Sequence, residues 1–225
     1  MSRLTGADML SMVRDMLGGE TSETISDTRI MRFINQSYLE LCSDYQFDQL
    51  QTTTTVTTTS GTADYELSVD TVLNIHDVVD TTNKNRLRTM NEYQYNAYTQ
   101  GGTNTGAPQY WFVHGVGSNN RFKLRLWPTP AGTYSLTVHI NKKPTELVAS
   151  PTASATSTVI PEQWDDSIIY RAVSRGWAML GDPDNAMKWR QLAMSNDRAA
   201  FKTTYHASAI KTRPGSVVGR ALRDV

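Results

Sequence analysis

Four histidines, one cysteine and one adjacent carboxylate pair are the side chains of this chain best suited to chemistry, and their spacing argues against a reaction centre. His76, His114, His139 and His206 are scattered, with no second His, Cys or carboxylate at the short helical spacing that a zinc site uses. His76 and Asp77 are adjacent in an expected strand, which sends their side chains to opposite faces. Asp165 and Asp166 could in principle do acid–base work, but they fall in the first turn of an expected helix, where carboxylates complement the positive end of the dipole. Cys42, the only cysteine, sits among Leu41, Tyr45 and Phe47 with no flanking cation to lower its pKa, which marks a packed thiol. Gly115-Val116-Gly117-Ser118 lies between two expected strands and precedes no helix, so it is a turn and not a dinucleotide site. No catalytic residue, metal or cofactor is expected.

Side chains suited to contact are more organised. Arg121, Lys123 and Arg125 alternate with Phe122, Leu124 and Leu126, which places a basic stripe on one face of a strand and an apolar row on the other. Such a stripe is either a solvated face or a channel- or neighbour-facing surface that meets acidic groups or passing DNA. Tyr93, Tyr95, Tyr98, Tyr110, Trp111 and Phe112 form an aromatic stretch without the interleaved Lys and Arg of a single-strand-binding surface, which favours core or subunit contact over base stacking. The last twenty residues carry Lys211, Arg213, Arg220 and Arg223 against Asp224 alone, whereas residues 1–50 hold eight acids and four bases. The head is acidic and the tail basic, although 22 basic and 22 acidic residues cancel over all 225 positions.

The elements that position these groups follow from a hydrophobic period that changes twice. Up to about Phe47 it is helical: Thr5 and Asp8 form a capping signature ahead of Met9, Met12, Val13, Met16 and Leu17, Gly18-Gly19 ends that helix, and a longer one runs from about Asp27 to Tyr45. From Gln51 to Asn141 the period is two, beginning with a threonine run whose β-branched side chains disfavour helix. Turns are expected at Ser60-Gly61-Thr62 and Thr81–Asn85, a short helix over Met90–Tyr98, and a hairpin joins Arg121–Leu126 to Tyr134–Asn141 across Pro128, Pro130 and Gly132. A Ser/Thr/Ala/Pro linker at 150–158 leads to a helix that opens at Pro161 and closes at Gly181, then to another from Pro183. Beyond Thr203 no periodicity remains.

The first and last helices can bury their apolar faces only against each other, so the β segment must loop out between them. The fold class is α+β: a bundle of about four helices from both termini, an inserted antiparallel β-sandwich-like domain and an extended C-terminal tail. The boundaries expected are 1–48 and 151–206 for the bundle with its linker, 49–150 for the β domain and 207–225 for the tail. No run approaches the roughly 18 apolar residues of a membrane span, and no export signal precedes the first helix. The chain is expected to be soluble, without membrane partners.

In order and spacing, the residues Ile34-Asn35-Gln36-Ser37-Tyr38-Leu39-Glu40-Leu41, Tyr65-Glu66-Leu67, Gly106-Ala107-Pro108-Gln109-Tyr110, Leu124-Arg125-Leu126-Trp127-Pro128-Thr129-Pro130, Lys143-Pro144 and Ile160-Pro161-Glu162-Gln163-Trp164 resemble the bacteriophage head-to-tail adaptor, or connector, family. The resemblance implies a non-enzymatic virion component of the neck, assembled in the host cytoplasm as a twelve-fold homo-oligomeric ring. It implies as partners the portal protein, tail or neck proteins, and genomic DNA passing through the channel without sequence-specific contact. It further implies that the tail with Lys211, Arg213, Arg220 and Arg223 extends to grip the portal, free in the monomer and ordered on docking. The competing readings are a tail-tube-side or tail-fibre component whose β domain binds carbohydrate through the Tyr93–Phe112 aromatics, and a hydrolase built on Asp165 and Asp166.

Overall fold

The computed structural model describes residues 3–19, 24–67, 72–100, 102, 104–117, 121–149, 157–205 and 211–212. They divide into two compact units, one formed by residues 1–50 with 144–225 and the other by residues 51–143. The class is α+β, a helical bundle drawn from both ends of the chain with an inserted β sandwich.

In the first unit, α1 (Gly6–Met16) and α2 (Asp27–Asp44) lead into a two-residue strand β1 (Tyr45–Gln46), and α4 (Asp165–Met179) and α5 (Pro183–Tyr205) return from the other end of the chain, followed by β12 (Lys211–Thr212). α1 starts where the capping signature predicts: the Thr5 hydroxyl accepts from the Asp8 N–H at 3.2 Å, and the Asp8 carboxylate accepts from the Thr5 N–H at 2.8 Å. Gly18 and Gly19 then leave the helix at φ 84° and 69°, a region only glycine enters at low cost. Met9, Val13, Ile30, Ile34, Leu41, Ile168, Ile169, Ala172 and Val173 are buried from water. Trp164 fills the centre, its ring centroid 4.6 Å from Tyr45 and 5.3 Å from Phe47. Ala186, Ala193 and Ala200 repeat every seven residues on the buried side of α5, and their small side chains let α5 lie close on its neighbour.

Polar side chains fasten the returning backbone. The Asn35 amide donates to the Leu147 carbonyl at 3.0 Å and accepts the Leu147 N–H at 2.8 Å, standing in for a strand neighbour. The Tyr38 hydroxyl accepts from the Val159 N–H at 3.0 Å, and the Arg3 guanidinium donates to the Thr158 carbonyl at 2.9 Å. Gly6 and Gly176 are places of close approach, since a Cβ would meet the Val148 carbonyl oxygen at 2.5 Å in the first case and Leu17 Cδ2 at 2.7 Å in the second.

The second unit contains β2 (Gln51–Thr57), β3 (Asp64–Glu66), β4 (Val72–Asp80), β5 (Asn85–Arg86), β6 (Arg88–Thr89), α3 (Glu92–Thr99), β7 (Thr105–Gly106), β8 (Tyr110–Val116), β9 (Phe122–Trp127), β10 (Thr129–Pro130) and β11 (Ser135–Lys142). Two four-stranded sheets, ordered β2-β11-β4-β5 and β3-β9-β8-β6, face each other, and Val56, Val78, Leu136, Val138 and Ile140 from one pack with Trp111, Leu124 and Leu126 from the other. Pairing is antiparallel except for β6 with β8 and the short β7 with β10.

Two local expectations are corrected. Arg121–Leu126 and Tyr134–Asn141 form no hairpin: β9 pairs with β3 and β8, while β11 pairs with β2 and β4. Pro128 and Pro130 lack the N–H groups that a continuous ladder needs, so the chain leaves one sheet there and enters the other. Gly115 is not in a turn between strands either, because β8 continues to Val116 with a register shift after Val113 and Gly115 at φ 85°. It is a glycine-permitted β-bulge.

Candidate assembly surfaces

Among the described residues, no group of three or more His, Cys, Asp or Glu is placed to hold a metal ion. Cys42 is buried, and burial pushes its thiol far above the usual range, which removes it as a nucleophile. Asp165 is also buried, its carboxylate accepting from the Thr158 hydroxyl at 2.8 Å. Burial pushes it up to about 6, against the lowering effect of that hydrogen bond. Its work is to hold the returning segment at the start of α4. No helix among the described residues is long and apolar enough to cross a membrane.

The basic stripe on β9 is covered in part. Arg125 forms a two-pronged pair with Asp64, Nε to Oδ1 at 2.6 Å and Nη2 to Oδ2 at 2.5 Å. Its guanidinium carbon lies 5.2 Å from the centre of the Tyr95 ring, a cation–π distance. The Arg125 hydrogen bond holds the Asp64 carboxyl below its ordinary value despite some burial. Lys123 stands opposite Glu66 in the β3–β9 register. Arg121 also has an interaction of its own. The Arg125 charge on this face is thus already balanced by Asp64.

Helix α3 lies over the same sheet. An Asn91–Gln94 capping box starts it, with backbone-to-side-chain bonds of 3.0 and 2.8 Å. Beneath it Met90, Phe112 and Trp127 form a second small core with Tyr95 and Tyr110. Tyr95 meets Phe112 at 5.3 Å, and Tyr98 stacks on Trp127 at 6.3 Å. Most of the aromatic stretch is therefore spent on fixing α3, as the packing alternative holds. Tyr93, 82% exposed, and Tyr98, 54% exposed, remain available at the surface.

One constellation escaped the reading of the sequence. Arg171 on α4 is 3% exposed and donates to Asp197 of α5 at 2.6 Å, with Glu40 and Asp44 of α2 at 3.0 and 3.3 Å from its other amino group. Glu40 in turn meets Arg175 at 2.7 Å and Arg190 at 2.6 Å. Three carboxylates balance three guanidinium groups, which ties α2, α4 and α5 together. Burial alone would push Glu40 up, but Arg190, Arg171 and Arg175 outweigh it and hold it below its ordinary range. Asp44 has only Arg171 against its burial and is raised. The signal was present: Arg171 falls three residues after Ile168, and Asp197 four after Ala193, so opposite charges occupy the two apolar stripes.

The exposed side of α5 carries Met187, Leu192 and Met194, which are 60, 47 and 41% exposed. β12 pairs antiparallel with β1, Thr212 opposite Tyr45 and Lys211 opposite Gln46. Two residues of the tail thus pair with the strand that follows α2. Arg213, Arg220 and Arg223 lie outside the described residues, as does His206.

The family described as SU10 adaptor protein matches residues 4–217. The match spans both units and runs past β12. No curated protein sequence matches the chain. Among solved structures, one described as "Neck of empty GTA particle computed with C6 symmetry" is similar to 84% of this chain and 94% of its own, at 12% identity and a TM-score of 0.25.

Proposed function

Because this chain belongs to the SU10 adaptor protein family, we propose that its role as a head-to-tail adaptor is carried out as a homo-oligomeric ring, twelve-fold in number, between the portal and the tail. The observation that carries this reading is the family match over residues 4–217, which leaves neither unit outside it. The helical unit and the tail meet the ring and the portal, and the β unit meets neighbours and tail-side proteins. A stoichiometric component of this kind needs surfaces and not a constellation, and head-to-tail contacts between identical subunits multiply a weak interface when the circle closes. No enzymatic step is assigned. The ring is assembled in the host cytoplasm and becomes part of the neck of the virion, where it prolongs the DNA channel without reading sequence.

The basic tail is the portal-gripping segment, with Lys211, Arg213, Arg220 and Arg223 supplying charge for steering and contact. Reversing Arg213, Arg220 and Arg223 to Glu should weaken binding to a portal ring at least tenfold while circular dichroism and the melting temperature stay unchanged. Undiminished binding by that variant contradicts the assignment of the tail. The carbohydrate-binding alternative loses its main support, since Tyr95 of α3 packs with Tyr110 and Phe112 of the sheet below it.

A further inference from the structure

A two-residue strand, Tyr45–Gln46, follows directly on the long helix α2. After α2 the backbone becomes extended at Tyr45, φ −117° and ψ 148°, which turns one edge of Tyr45–Gln46 toward a strand partner. The side of Tyr45 away from that edge is anchored, because its ring is fully buried between Trp164 at 4.6 Å and Phe201 at 6.2 Å. Phe201 lies on the last turns of α5, so α5 delivers the chain beside β1, and the strand that occupies the edge is Lys211–Thr212. The edge is held by a buried ring, and its occupant comes from the segment that carries the basic residues.

We propose that β1 is a strand acceptor that stores the C-terminal tail on the subunit's own body, so that the tail must be withdrawn from β1 before it can engage a partner ring. This rests on the reading of the tail as the docking segment. A contact of two residue pairs is weak, since each backbone hydrogen bond gained is offset by one lost to water. It persists because the short tether from α5 keeps the effective concentration of the strand high. A partner that offers the tail a longer ladder or a larger buried surface therefore displaces it without unfolding the bundle.

The test uses the full chain with Gln46→Cys and Lys211→Cys. Opposed residues of an antiparallel pair have Cα atoms roughly 4.5–5.5 Å apart, within the span of a disulfide, and Cys42 can remain because it is buried. Oxidation of the dilute subunit should give a crosslink within one chain, mapped by peptide mass spectrometry. No crosslink, or crosslinks only between chains, overturns the proposal. The oxidised subunit should then bind a portal ring at least tenfold more weakly than the same protein after reduction, and equal binding of both forms overturns the need for withdrawal. Failure of the unmodified chain to bind a portal ring would contradict the docking reading alone, since the crosslink reports storage independently. Hydrogen exchange of the unmodified chain supplies the check without cysteines: in an antiparallel pair one of two successive amides faces the partner strand, so protection of one of the Lys211 and Thr212 amides should be present in the free subunit, and exposure of both there also overturns the proposal.

Discussion

Arg171 is the side chain whose loss the helical unit should tolerate least. Removing it by Arg171→Met leaves Asp197, 1% exposed, without its charged partner, and breaking one side of a buried pair costs about 3–5 kcal/mol. Chemical denaturation should show that loss, and the double replacement Arg171→Met with Asp197→Leu should recover part of it, because Asp44 still lacks its cation. A single variant as stable as the parent would contradict the role given to the cluster. Asp165 makes a separate prediction through pH. Its folded value is raised to about 6 from an ordinary 3.8, so between those values the folded state keeps a proton that the unfolded state releases. The contribution to stability is therefore fully present below the lower value and is lost as pH rises through the higher one. Asp165→Asn, which can still accept from Thr158, should flatten the dependence of melting temperature on pH across that window. An unchanged slope would show that another group titrates there.

At the scale of elements, much was legible because period, caps and glycines are local properties. The start of α1 at its capping box, the glycine pair after it and the length of α2 all follow from residues close in sequence. What escaped depends on partners far along the chain. The alternation in β9 and β11 locates both strands, yet alternation is the same whether neighbouring strands share a sheet or face each other across a core. Arg171 and Asp197 were overlooked because a charge on an apolar stripe acquires meaning only when its counter-charge is found on another helix. α3 shows how an exposed aromatic stretch turns into packing. Tyr95 lies between Phe112, Trp127 and the Arg125 guanidinium and is partly buried, so Tyr95→Ala should cost about 1–3 kcal/mol and release α3 from the sheet. Tyr93→Ser, at an exposed position of the same helix, should leave stability within about 0.5 kcal/mol. Faster amide exchange in Glu92–Thr99 for the first variant only is the expected result, and equal exchange in both would contradict the packing role.

For the whole molecule, the residues divide into those that fix each unit and those left for partners. The ionic cluster, the Trp164 centre and the sandwich core are internal. Met187, Leu192 and Met194 on α5 and Tyr93 and Tyr98 on α3 remain outward, as an assembly subunit requires. The central claim is that this adaptor acts as a closed ring on the portal. Native mass spectrometry of the full chain, alone and mixed with a portal ring, tests it most directly. The account predicts a discrete complex in which twelve copies join one portal ring, and a chain that stays monomeric even in the presence of portal would contradict it.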